Sequence, residues 1–131
     1  MIITDIEYDE GGHFGEPRGF HIDVANREFR LTMCTPFFEV RFEASGQDAA
    51  RFDELVKACD FLSWRDRYEI HACDGTQWSL QVKSGDRVIR EISGSNDWPV
   101  EWKSVLALLD FCQCPVSFDY GDEEDDMRDD K

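Results

Sequence analysis

Apolar and polar residues alternate through Phe20-His21-Ile22-Asp23-Val24, the period of a strand with one buried face. Ala25-Asn26-Arg27-Glu28 turns the chain, and Phe29, Leu31 and Met33 return it in the same period. After Pro36, Val40, Phe42 and Ala44 alternate with Glu39, Arg41 and Glu43, a third strand of this kind. Met1 to Tyr8 alternate more loosely and predict a strand of open register. Residues 9–19 hold four glycines and a proline and read as a loop.

The period then changes. Phe52, Leu55, Val56 and Cys59 recur at i, i+3, i+4 and i+7, one apolar stripe of a helix. Ser45 and Asp48 have the spacing of a capping box at its start, and the pattern fades near Phe61 or Leu62. A second helix is predicted from Trp102, Val105, Leu106 and Leu109, with Pro99 in its first turn and Pro115 stopping it. Val116-Ser117-Phe118 suggests a short closing strand.

Between the helices lie three strand patterns, over 68–73, 76–83 and 87–93. Asp74-Gly75 is a hairpin signal, since glycine accepts positive φ freely, and Ser84-Gly85-Asp86 marks the next turn. Short turns predict an antiparallel meander, with the first turn and the end of the third strand at the same rim. Asp74, Gly75, Thr76 and Trp78 would then adjoin Gly94, Ser95, Asn96, Asp97 and Trp98, a candidate binding patch. Each also has a local structural use: hairpin turn, helix cap at Asn96 or Asp97, and aromatic staple.

The halves look alike. FDELVKACDF at 52–61 aligns with WKSVLALLDF at 102–111, and Phe20-Ile22-Val24 with Trp78-Leu80-Val82. An internal ββ(β)α duplication is one expectation from this likeness. The fold class expected is α+β: an antiparallel sheet of about six strands with two helices on one face. One domain would span 1–118, and 119–131 would be an acidic, disordered tail.

Charge sharpens the picture. The chain carries a formal charge of −15, and residues 119–131 contribute only −6 of it. An acidic body repels nucleic acid and anionic membrane and favours a basic protein partner, although solubility alone also accounts for it. No apolar run approaches the roughly 18 residues that span a bilayer, and Met1-Ile2-Ile3-Thr4-Asp5 is no signal sequence. Five cysteines, an odd number set partly in apolar patterns, read as reduced thiols, which with the rest predicts a cytoplasmic protein.

Three chemistries compete with simple binding. His71, Cys73, Cys112 and Cys114 are ligand types that zinc accepts, but one-residue spacings between them fit a structural zinc poorly. His13, His21 or His71 could meet Asp74, Asp97 or a cysteine in an acid–base site, yet no hydrolase, phosphate-loop or dinucleotide motif is present. Acidic rows can also imitate a phosphate backbone. No cofactor is implied. The pattern DGTQW, GSNDWP, then Trp102 two residues past Val100 resembles one in small uncharacterised bacterial domains. That resemblance, loosely shared with immunity proteins of toxin systems, implies a partner-binding protein and assigns no catalytic residue. A small enzyme or ligand binder at the Asp74/Asn96 rim is the alternative.

Overall fold

In a computed structural model, which describes residues 2–12, 17–33, 40–70 and 76–119, seven strands form one sheet. They are β1 (Asp5–Gly12), β2 (Arg18–Asp23), β3 (Glu28–Met33), β4 (Val40–Glu43), β5 (Arg67–Glu69), β6 (Thr76–Ser84) and β7 (Arg87–Ser95). Their order is β4-β3-β2-β1-β6-β7-β5. Two helices, α1 (Gln47–Cys59) and α2 (Trp102–Phe111), pack against each other and share one core with the sheet's inner face. The class is α+β, as the two periodicities require, but the sheet is mixed.

The central strand is the first correction. β1 runs on through Gly12, pairing Glu10 with Arg18 on one side and Trp78 on the other. By composition alone its polar second half is indistinguishable from a loop. Glu10 points inward with Ile6 and Tyr8 and is tolerated because Tyr8 and Arg18 hydrogen-bond its carboxylate.

β5 is the second correction. It pairs with β7 in parallel, Tyr68 opposite Gly94, so it is not the first strand of a meander. Arg90 on β7 explains the placement, because its guanidinium donates to the carbonyls of Leu62 and Trp64 and to Asp66. That clamp ties the preceding segment to β7, and Tyr68 then stacks on Trp78. With β7 between them, β5 and β6 cannot share a direct hairpin. Asp74 and Gly75 lie outside the described residues.

The α1 stripe buries as the spacing predicts; in α2 Trp102, Val105 and Leu109 bury, but Leu108 takes the core place expected of Leu106, which is only half-buried. The caps differ. Gly46, at φ 60°, starts α1, and Asp48 N–H donates to the backbone carbonyl of Ser45, so the capping box is not formed. Asp60, in the left-handed conformation, ends α1 at Cys59, short of Phe61, and a 3-10 turn (Phe61–Ser63) follows. Glu101, not Asn96 or Asp97, precedes α2. At the other end Gln113 (φ 62°) closes a Schellman turn, with Cys114 N–H on Leu109 O and Gln113 N–H on Asp110 O. The helix is therefore finished before Pro115. No strand forms at 116–118; Phe118 instead enters the core beside Tyr8 and Phe20, and its carbonyl accepts the Trp102 indole.

The topology also bears on the duplication. Phe20 and Leu80 face Tyr8 from opposite sides, and both turn inward, so β2 and β6 run parallel with the same face on the core. Their hairpin partners β3 and β7 lie outward on opposite sides. Such hairpins are mirror arrangements, which no rotation superimposes. The aligned Asp-Phe pairs part company too: Asp60-Phe61 leaves α1, whereas Asp110-Phe111 stays within α2.

Candidate functional site

The corner where β6 begins and β7 ends gathers the described members of the expected patch. Gln77 pairs with Ser95 and Trp78 with Gly94. Asn96, left-handed at φ 59°, turns its side chain back: Thr76 N–H donates to Asn96 Oδ1 at 2.9 Å, and Asn96 N–H donates to Thr76 O at 2.9 Å. This reciprocal pair closes the corner as a cap would close a helix. Trp78 Nε1 donates to Asp97 O at 2.8 Å, and the Trp78 and Trp98 rings stack 6.5 Å apart. Thr76, Trp78, Gly94, Ser95, Asn96, Asp97 and Trp98 are thus together, while Asp74 and Gly75 are outside the described residues.

Behind the corner lies a network that the sequence pattern hid inside a presumed loop. Trp98 Nε1 donates to Tyr8 Oη at 3.3 Å, Tyr8 Oη donates to Glu10 Oε1 at 2.8 Å, and Arg18 Nε donates to Glu10 Oε2 at 2.9 Å. Arg18 also donates to Ser117 O at 2.8 Å and lies over the Phe118 ring. Tyr8, Glu10 and Arg18 become legible only once Ile6-Tyr8-Glu10 is read as one inward row. The network binds the last described segment to the sheet, and it uses the corner's polar atoms internally. Every buried side-chain nitrogen and oxygen among the described residues has a partner.

On the opposite surface the corner opens into a shallow groove of about 390 Å³, between Arg67 and Glu69 of β5 and Gln77, Ser93 and Ser95. That surface is the uncovered face of the sheet. Along β1 it presents Asp5, Glu7 and Asp9 in one row. Asp5 meets His21 Nε2 at 2.9 Å, and Glu7 pairs with Lys83, holding its ammonium above the usual range. Asp9 stands apart. It lies at the surface between Gly19 and Ser79 and has no counter-ion among the described residues; desolvation of its carboxyl by the surrounding sheet, together with the charge of Glu7, raises it above the usual value.

Of the metal-ligand candidates, His71 and Cys73 are outside the described residues, as is His13. Cys112 is fully buried, and burial pushes its thiol up to about 12; Cys59 behaves likewise, at about 12. Cys114 is half-buried with its sulfur on Val116 O. Among the described residues no group of three or more His, Cys, Asp or Glu is placed to hold a metal ion. Nor is any described helix long and apolar enough to cross a membrane. Compared with protein-family models the chain matches none, and compared with curated proteins it again finds no match.

Proposed function

We propose that the chain is a non-enzymatic protein-binding module whose acidic outer sheet face takes a basic partner. The observation that carries this reading is Asp9, a carboxylate held mid-face without a counter-ion among the described residues, while its row-mate Asp5 is hydrogen-bonded to His21 and Glu7 is ion-paired with Lys83. A partner's lysine or arginine would relieve that unfavourable charge. The lateral neighbours Gly19 and Ser79 present no bulky side chain on that face, and the Asp9 carboxylate itself lies against Gly19. The formal charge of −15 favours encounter with such a partner, and a role like that of immunity proteins fits the same chemistry.

The test uses immobilised wild-type chain and Asp9→Lys on extract of the source cells. The reading expects a cationic protein retained by wild type, with affinity falling steeply as salt rises, and lost from a variant that melts normally. Retention that ignores both salt and charge reversal contradicts it. A second reading, a small-ligand binder at the corner, is supported by the groove lined by Gln77, Trp78, Gly94 and Ser95. It expects Gln77→Ala, at an exposed position lining the groove, to abolish ligand binding without unfolding.

A further inference from the structure

Among the described residues nothing pairs with the outer edge of β5, and that edge carries a feature independent of the acidic face. Ser93 N–H donates to Asp66 O at 3.0 Å and Ile70 N–H to Ser95 O at 2.9 Å, so residues 66, 68 and 70 spend their backbone groups on β7. Arg67 and Glu69, between them, turn their amides and carbonyls away from the sheet, and β5 ends the strand order. Their side chains share the outer face and are 72% and 52% exposed, meeting only at 3.8 Å.

We propose that this edge pairs with the same edge of a second copy of the chain, antiparallel about a two-fold axis at Tyr68. In that register Arg67 of each copy faces Glu69 of the other. Both residues direct their backbone groups outward, which makes them hydrogen-bonded pairs, and the exchange uses all of those groups. The side chains then form two opposite-charge cross-strand pairs. The segment 65–69, Arg-Asp-Arg-Tyr-Glu, is neutral in a chain of charge −15, so two copies approach where repulsion is least. Leu62 and Ile70, 45% and 39% exposed, flank it in sequence and would be covered in part.

Sedimentation velocity of the full chain up to millimolar concentration tests this, with circular dichroism to verify folding. Wild type is expected to gain mass with concentration. Arg67→Glu sets like charges opposite each other twice and is expected to weaken association about tenfold. Arg67→Glu/Glu69→Arg restores complementarity and is expected to return within about threefold of wild type. In wild type alone, amide exchange at Arg67 and Glu69 is expected to slow as concentration rises. A constant monomer mass, an unaffected single variant, an unrestored double variant, or exchange independent of concentration would each overturn the proposal.

Discussion

Gly94→Ala tests the corner most sharply, because Trp78 lies where the new methyl must go. A β-carbon built on Gly94 would sit 2.6 Å from Trp78 Cζ2 and closer still to Nε1 and Cε2. The indole cannot simply swing away. It is 3% exposed, bonded to Asp97 O, and in ring contact with Tyr8, Trp64, Tyr68, Trp98 and Trp102. Overpacking of this kind costs about 1–3 kcal/mol, and losing the indole hydrogen bond adds about 1 kcal/mol. The sum, about 2–4 kcal/mol, corresponds to a fall in Tm of about 6–15 °C for a domain of this size. Urea melts of wild type, Gly94→Ala, Trp78→Leu and the double variant would measure it. The alanine should cost about 1–2 kcal/mol less in the Trp78→Leu background, where the smaller side chain leaves space for it. An alanine variant melting within about a degree of wild type, or one equally costly in both backgrounds, would refute the reasoning.

Three further expectations follow from the same geometry. Trp102→Ala removes a 4%-exposed indole bonded to Phe118 O and should cost about 3–5 kcal/mol by chemical denaturation; no change would mean that α2 does not dock as described. Asp9→Asn should stabilise the chain at neutral pH, because the folded-state pKa is raised and the ionised form is the costly one. That gain should vanish as pH falls through the raised folded value towards 3.8, below which the wild-type carboxyl is protonated whether folded or not, and a Tm series against pH would show it. Cys59 and Cys112, with thiols near 12, should resist iodoacetamide at pH ~8 in the folded protein and react on denaturation, as mass spectrometry of the alkylated peptides would report.

Elements whose stability rests on one periodic stripe were legible in the sequence. α1 buries Phe52, Leu55, Val56 and Cys59, and the hairpins around Phe20–Leu31 and Trp78–Ile92 pair much as their alternation implies. What escaped was decided by contacts far apart in the chain. Arg90 reaches the carbonyls of Leu62 and Trp64 across 28 and 26 residues, and nothing local to Tyr68 signals a parallel edge strand. Glu10 looks like a surface acid until Arg18 and Tyr8 are placed around it. The caps failed for a related reason: Gly46, at positive φ, takes the cap position of α1 in place of Ser45, while α2 begins only at Trp102 and the Asn96 side chain turns to Thr76. The corner itself was recoverable because both ends of the β6–β7 hairpin follow from its turn at Gly85. The setting of Asp9, without a counter-ion among the described residues, was not, since it depends on which side each neighbour faces.

Amide chemical-shift mapping of the labelled chain with its captured cationic partner tests the binding face most directly. Perturbations are expected along residues 5–9 of β1 and 79–83 of β6, around Asp9, and they should disappear with Asp9→Lys. Perturbations gathered at Thr76, Asn96 and Trp98, with β1 unmoved, would contradict an outer-face interface and transfer the function to the corner.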